Sequence, residues 1–146
     1  MTCEAEYKVA IVVDSSASLP KNAITSPGLH VVPMLLHIDG QTYRDGVDLA
    51  PSDLYRIMRG SSTTPTTSAP PPASYIDAFR QASQKANTVL CLTVASQFSA
   101  SFDSATTASR EIEHNLGERR IHILDTGTAA GGQGLVALEA LRTAAQ

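Results

Sequence analysis

The sequence predicts an α/β domain with three layers: a mostly parallel, Rossmann-like sheet with helices on both faces. Two short runs, KVAIVV at 8–13 and TVLCLTV at 88–94, are almost wholly apolar. Such runs are typical of strands that are buried on both faces. Segments with helical patterns separate the apolar runs, which favours parallel strands joined by right-handed crossovers.

The first part of the chain is predicted to continue with a short helix and a hairpin. Pro20 suits the start of a short helix, because proline is tolerated in a first helical turn. A second apolar run covers residues 29–38. It is followed by Asp39-Gly40, a hairpin turn signal that predicts antiparallel pairing of residues 41–43.

The rest of the chain alternates helices with strands. Residues 61–70, SSTTPTTSAP, consist of seven hydroxyl residues, two prolines and one alanine. They are predicted to form a loop, because this composition cannot contribute to a core. The remaining elements are predicted as helices over 51–59, 72–84, 99–115 and 131–145, and as strands over 88–94 and 119–124.

The composition limits the classes of function. The chain has 146 residues, of which 42% are hydrophobic, and this suits a single domain with a real core. The net charge of −3 and the absence of a basic patch disfavour nucleic-acid binding. The longest apolar run is far shorter than the roughly 20 residues of a membrane span. The N-terminus lacks the apolar segment of a secretory signal, and there are two cysteines, Cys3 and Cys91, so we expect a cytoplasmic protein.

Hydroxyl side chains follow the predicted strands at their carboxyl ends, which is where open parallel sheets bind ligands. The first strand leads to Ser15 and Ser16, the third long strand to Ser96, and the last to Thr126. None of these loops contains a cluster of Arg, Lys, His or Cys. Neutral hydroxyls and helix N-termini suit a small acidic group, whereas a di- or triphosphate would usually recruit Lys or Arg as well.

Four segments together resemble the DegV family of bacterial fatty-acid-binding proteins. They are VDSSASLP at 13–20, VVPMLLHIDGQTYRDGVDL at 31–49, TTPTTSAPPPASY at 63–75 and VASQFSASFDSA at 94–105, with LDTGTAAGGQGLV at 124–136 close behind. Family members are roughly twice as long and carry a second, C-terminal domain. The resemblance therefore implies that residues 1–146 form a single domain like the family's N-terminal domain, either as a natural short form or as an excised part.

The resemblance also implies a function. The protein would bind one long-chain fatty acid and present its carboxylate to a partner fatty acid kinase, without catalysis of its own and without a cofactor. Carried over by position, Thr67 and Ser96 would hydrogen-bond the carboxylate, and Ser68 would stand beside them. We expect supporting contacts from Asp14, Ser15, Ser16, Gln97 and Thr126. Pairing of two copies into a homo-oligomer stays open.

The sequence departs from the family pattern around these residues. Ala95 stands where the family has the first Ser of a Ser-Ser pair, and Ala100 replaces the usual Gly. Ser101 replaces the usual Thr, and Pro71 replaces the Ser after the loop proline. Thr67 and Ser96 themselves are retained.

The acyl chain of such a ligand needs an apolar environment. Burial is worth about 0.8 kcal/mol per methylene group, so strong binding requires an enclosed tail. A domain of this size would have to give up part of its core to make a tunnel. The residues that we expect to line it are Met34, Leu36, Ile57 and Phe98.

Two other classes of function are alternatives. Asp14-x-Ser16-x-Ser18 fits the first part of the metal-ion-dependent adhesion site of von Willebrand A-type domains, in which such oxygens bind Mg²⁺. Thr67 and Asp125 would complete that site. A serine hydrolase is less favoured, because the G-x-S-x-G elbow is missing and no histidine is predicted beside Ser96. Otherwise the spacing of the Cys and His residues predicts no metal site.

Overall fold

The computed structural model describes residues 7–60, 62 and 64–146. The strands are β1 (Tyr7–Asp14), β2 (Leu29–Val32), β3 (Leu35–Ile38), β4 (Gln41–Arg44), β5 (Thr66–Ser68), β6 (Ala86–Thr93) and β7 (Arg120–Asp125). The helices are α1 (Lys21–Ile24), α2 (Pro51–Gly60), α3 (Pro72–Lys85), α4 (Ser101–Ile112) and α5 (Gly131–Ala144). Short 3₁₀ turns follow β1 at Ser15–Ala17 and α4 at Glu113–Asn115.

The main sheet has four parallel strands in the order β2-β1-β6-β7. Its central strands, β1 and β6, contain the two apolar runs. Helices cover both faces of the sheet, so the side chains on both sides of these strands are buried and apolar. The register places Asp14 opposite Val32 and Thr93 opposite Asp125. The last residues of all four strands therefore lie along one edge of the sheet, which we call the carboxyl edge.

Helices cover both faces of the main sheet. On one face, α3 and α4 bury Tyr75, Phe79 and Ala105 against Val12 and Val89. On the other face, α5 packs through small residues against the remaining side chains of β1 and β6, among them Ile11, Val13 and Leu92. The predicted three-layer α/β architecture is thus confirmed.

A second, smaller sheet was only partly predicted. It is antiparallel, with the order β4-β3-β5. The expected turn at Asp39-Gly40 joins β3 to β4, and both residues have positive φ angles, 48° and 76°, which primed hairpin turns require. Helix α2 covers this sheet: Leu54 and Ile57 pack against Leu36, Ile38 and Leu49.

Two predictions of secondary structure were wrong in detail. The run 29–38 is not one strand, since it breaks at Pro33-Met34 and contributes β2 to the main sheet and β3 to the small one. The segment 61–70 is not all loop, because Thr66–Ser68 pairs with β3 as an edge strand. Such a strand needs only backbone pairing, and its three side chains are exposed, so the lack of apolar residues does not prevent it.

The predicted helix at 99–115 is shorter in the structure, since α4 begins at Ser101 and ends at Ile112. Cys3 lies outside the described residues. Within the part of the chain that the structure describes, no helix has the length and apolarity that crossing a bilayer requires.

Candidate functional site at the carboxyl edge

Asp14 is a buried carboxylate that holds three segments together at the carboxyl edge. One of its oxygens, Oδ2, accepts a hydrogen bond from the N–H of Val94, at 2.9 Å, in the loop after β6. The other, Oδ1, accepts from Gln133 Nε2 of α5 at 3.1 Å and is in close contact with the hydroxyl of Ser16. Asp14 and Gln133 are both 0% exposed. Asp14 therefore holds the loop after β6 and helix α5 together at the carboxyl edge, and its buried side chain is not open to a ligand.

Ser15 links the small sheet to the carboxyl edge. Its hydroxyl donates to Asp45 Oδ2 at 2.7 Å and accepts from the N–H of Met34 at 2.9 Å. Asp45 also donates its own N–H to the Met34 carbonyl, at 2.9 Å. These bonds fix the connection between β2 and β3, at the point where the apolar run divides between the two sheets.

Ser96 is exposed and is held by the end of the neighbouring strand. Its N–H donates to Asp125 Oδ2 at 3.1 Å, and the N–H of Gly127 donates to Oδ1 at 2.9 Å. The nearby Ser96 side chain, followed by the N–H groups of Gly127 and Ser96, lowers the pKa of Asp125. Asp125 is the neighbour that sets the conformation of the Ser96 loop.

Thr67 and Ser68 point to opposite faces of the small sheet, because neighbouring residues of a strand alternate. Thr67 pairs with Leu36 and shares its face with the apolar cluster under α2. Ser68 pairs with Leu35 and lies on the other face, where its hydroxyl is 2.8 Å from Nε2 of His37. Both hydroxyls are exposed, but only one of them is on the apolar face.

His37 forms a contact that the sequence did not predict. Its Nδ1 lies 2.9 Å from Thr42 Oγ1, and its Nε2 contacts Ser68. Among the residues that the structure describes, no histidine forms a hydrogen bond with the side chain of Ser96. His37 therefore supports the exposed polar face of the small sheet, on the opposite side from Thr67.

The other two expected supporting residues differ in their surroundings. The hydroxyl of Thr126 donates to the Thr93 carbonyl at 2.8 Å, and so joins the end of β7 to the end of β6. Gln97 is exposed in the loop beside Ser96. Thr126 thus has a structural partner, whereas Gln97 is open to solvent.

A layer of buried polar groups lies beneath the edge. Tyr75 and Thr93 are both 0% exposed, and among the described residues their hydroxyl oxygens have no hydrogen-bond partner. Burial, and next the charge of Asp14, raise the pKa of Tyr75. The same two causes raise the pKa of the Cys91 thiol, so this buried cysteine is unreactive.

The four residues expected to line an acyl chain differ in their surroundings. Leu36 is buried and Ile57 half-buried, and both belong to the cluster between the small sheet and α2. Met34 is buried beside the start of α4, where its sulfur is 3.7 Å from the hydroxyl of Ser101. Phe98 is 67% exposed, so it is available on the surface next to Ser96.

Two open grooves lie away from these hydroxyls. One, of about 440 Å³, is near the start of β1 and the end of α5, and its lining includes Val9, Gly28 and Leu141. The other, of about 430 Å³, runs along β2 and α3. Neither is lined by Thr67 or Ser96. The interior beneath the main sheet is occupied by side chains of the core.

The geometry does not favour the adhesion-site alternative. Both carboxylate oxygens of Asp14 already accept hydrogen bonds from the protein, and the hydroxyl of Ser18 is directed to the carbonyl of Ser16, 3.3 Å away. Within residues 7–60, 62 and 64–146, no group of three or more His, Cys, Asp or Glu side chains is arranged to hold a metal ion.

Comparison with known proteins identifies the family. The model of the family described as "Uncharacterised protein, DegV family" matches residues 8–146. The chain belongs to the DegV family. A DegV domain-containing protein of Caldanaerobacter subterraneus subsp. tengcongensis is 32% identical over 139 residues, which are 95% of this chain and 48% of the relative. The chain spans about half the length of the curated DegV relatives that it matches.

Solved DegV structures share the fold. A DegV family protein from Thermus thermophilus, described by its fatty acid binding, has a TM-score of 0.80 and 30% identity, and the match covers 92% of this chain and 46% of that one. A stearic acid-binding protein from Eubacterium ventriosum has a TM-score of 0.84 and 30% identity, with coverage of 92% and 47%. The resemblance drawn from the four sequence segments is therefore confirmed.

Sequence reasoning missed Asp125 as a neighbour of Ser96 and Asp45 as a neighbour of Ser15. In each case the partners are about 30 positions apart, and no local pattern connects them. The topology did contain a usable signal for Asp125: it ends the strand next to β6, so its side chain had to lie near the loop that follows β6.

Proposed function

We propose that this DegV domain binds the head group of a long-chain fatty acid through the hydroxyls of two exposed residues, Thr67 on the small sheet and Ser96 at the carboxyl edge. The observation that carries the proposal is the exposure of both hydroxyls on a chain that is 30% identical to two fatty-acid-binding DegV proteins. Ser68 faces His37 instead, so it contributes to the neighbouring surface and not to the same contact.

The acyl chain, in this proposal, lies against the outside of the domain, so this domain buries the tail only in part and gains less affinity from it than an enclosed tunnel would provide. Thr67 shares a face with Leu36, and Ile57 of α2 packs on that face. The clusters on the two faces of the main sheet consist of packed apolar side chains, and in this proposal a tail that leaves Thr67 lies on the apolar surface beside the small sheet. Exposed Phe98 extends the apolar surface next to Ser96.

The domain would act as a carrier and not as a catalyst. A carboxyl group held at an exposed edge remains accessible to a second protein, and we propose a fatty acid kinase that forms the acyl phosphate. Incubating the loaded protein with such a kinase and ATP should yield acyl phosphate, and the yield should fall when the head group is no longer held.

Isothermal titration of delipidated protein with a fatty acid tests the two hydroxyls. Thr67→Ala and Ser96→Ala should each weaken binding by about 1–2 kcal/mol, because each removes one hydrogen bond to the head group. Thr107→Ala, at an exposed position of α4, is the matched control and should bind as the unchanged protein does. Equal dissociation constants in all four proteins would refute the assignment.

A further inference from the structure

Strand β7 forms an edge of the main sheet that lacks the usual protection against pairing with another chain. Within residues 7–60, 62 and 64–146, β6 is its only partner strand. The opposite edge, β2, has four residues and runs into Pro33. Strand β7 has six residues, RIHILD, with neither lysine nor proline. Natural edge strands that stay single are usually short or interrupted by such residues, so the outer side of β7 is open to another strand.

One face of β7 is also left uncovered by the helices. The apolar cluster under α5 contains residues of β1, β2 and β6 but none of β7. Leu124, on this side of β7, is 48% exposed. Ile121 and Ile123, on the other side, are only partly buried where they pack against the cluster of α3 and α4. A further strand beside β7 would therefore cover apolar side chains on both faces of the sheet.

The backbone of β7 determines which of its residues can pair outwards. The N–H of Thr126 donates to the Thr93 carbonyl at the end of β6, and alternate residues of a strand direct their backbone groups to the same side. The N–H and C=O groups of Ile121 and Ile123 therefore point away from β6. In an antiparallel pair, such outward-pointing residues lie opposite one another and exchange hydrogen bonds.

Charge selects the partner and the register. If the partner is β7 of a second copy, with Ile121 opposite Ile123, then Arg119 lies opposite Asp125 and His122 lies opposite itself on the two-fold axis. A register with Ile123 on the axis would instead place Asp125 opposite Ile121. Arg119 is half-buried, and its Nε has no hydrogen-bond partner among the described residues. The Asp125 carboxylate accepts one N–H on each oxygen and retains further lone pairs.

We propose that two copies of this chain associate through antiparallel pairing of their β7 strands, so that the two main sheets become one. Arg119 of each copy then binds Asp125 of the other, and the two-fold symmetry forms this contact twice. The same surface of each copy supplies both members of the ion pair, which makes the edge complementary to itself. The inference is independent of the proposed fatty-acid binding, and its tests use no ligand.

A charge exchange tests the contact between Arg119 and Asp125. Sedimentation equilibrium of the unchanged protein should show a dimer, and Arg119→Glu and Asp125→Lys should each raise its dissociation constant at least about tenfold, because like charges then face each other. An equimolar mixture of the two variants should regain the dimer, since both contacts of the mixed pair join opposite charges. Arg80→Glu, exposed on α3, is the control and should dimerise as the unchanged protein does.

Two outcomes would overturn the proposal. One is an unchanged protein that stays monomeric up to millimolar concentration. The other is a mixture of Arg119→Glu and Asp125→Lys that dimerises no better than either variant alone, while circular dichroism shows both to be folded.

A cysteine on the two-fold axis tests the register and leaves both charges in place. Opposed residues that do not exchange hydrogen bonds have Cα atoms about 4.5 Å apart, within reach of a disulfide. In a Cys3→Ser background, His122→Cys should therefore form a covalent dimer on mild oxidation. Leu124→Cys lies opposite Arg120 of the other copy in this register and should remain uncrosslinked. Equal crosslinking of the two variants, or none by His122→Cys, would contradict the proposed pairing.

Discussion

At the scale of single residues, the carboxyl edge depends on two carboxylates that accept hydrogen bonds from backbone N–H groups. Asp14 accepts from Val94, and Asp125 from Ser96 and Gly127. Such bonds to charged groups are stronger than bonds between neutral groups, and the loss of a partner leaves the other group unpaired. The exposed hydroxyls can therefore be rigid even though they lie in loops.

Replacing Asp14 should show how far the edge depends on it. Asp14→Ala leaves the Val94 N–H without its acceptor and leaves the Gln133 amide with only the Leu92 carbonyl, at 3.4 Å, in a buried site. We expect the free energy of unfolding to fall by about 3 kcal/mol, measured by urea denaturation. Asp77→Ala, on the surface of α3, should change it by less than about 0.5 kcal/mol. Equal stabilities of the two variants would contradict the role of Asp14.

The pair of Arg44 and Asp48 predicts a pH dependence. Arg44 donates to Asp48 through its side chain, at 2.7 and 2.9 Å, and through its N–H at 2.8 Å. These bonds lower the pKa of Asp48 from 3.8 to about 2. Because the folded pKa is the lower one, the pair stabilises the protein fully above pH 3.8 and loses its effect as the pH falls towards about 2.

Arg44→Met should remove part of this acid sensitivity. Unfolding followed by circular dichroism between pH 5 and pH 2 should show a smaller loss of stability in Arg44→Met than in the unchanged protein. Arg80→Met, at an exposed position of α3, serves as the control. An identical pH profile for Arg44→Met and the unchanged protein would mean that the pair does not contribute.

At the scale of elements, α5 can approach the turn after β1 because its second turn has a glycine. A Cβ atom on Gly134 would lie 2.6 Å from the carbonyl oxygen of Ala17, whereas one on Gly131 would meet nothing within 4 Å. The sequence GGQG thus serves close packing, and Gln133 between these glycines reaches Asp14.

The two glycines make a matched pair of variants. Gly134→Ala should destabilise the protein by about 2 kcal/mol, because backbone must move to relieve the overlap. Gly131→Ala should be neutral, or stabilising by up to about 1 kcal/mol, because alanine favours helix over glycine. Thermal unfolding of both variants checks this. A Gly134→Ala protein as stable as Gly131→Ala would show that the close approach is not required.

Elements with continuous apolar sequence were predictable, and elements defined by pairing were not. Strands β1 and β6 are apolar because both faces are covered, so composition alone identifies them. The division of residues 29–38 between two sheets depends on contacts of Ser15 and Asp45 that are distant in sequence. Strand β5 has only exposed side chains, so it has no apolar signal at all.

The candidate site was also predictable only in part: its position in the sheet could be predicted, but most of its side-chain partners could not. The parallel topology brings the ends of the strands to one edge, and it predicts from the sequence alone that Asp14, Ser96 and Thr126 lie near that edge. The opposite facing of Thr67 and Ser68 follows from strand alternation, but only once the segment is known to be a strand. The partner of Ser68 required the three-dimensional structure, whereas the strand order already indicates Asp125 as a neighbour of Ser96.

At the scale of the whole molecule, the domain combines packed apolar clusters on both faces of the main sheet with an exposed Ser96 at the carboxyl edge. Apolar side chains remain exposed at several places, among them Phe98 at 67%, Leu135 at 71% and Tyr55 at 59%. The chain spans about half the length of its curated DegV relatives. In the proposed function, the head group lies on the outside of this domain, where a second protein can reach it.

Native mass spectrometry of the protein purified from bacterial cells tests the central claim most directly. We predict a bound mass that matches a long-chain fatty acid, and its loss from a Thr67→Ala, Ser96→Ala double variant that remains folded. A protein that carries no lipid after purification and takes up none when fatty acid is added would contradict the account, as would a double variant that retains the lipid.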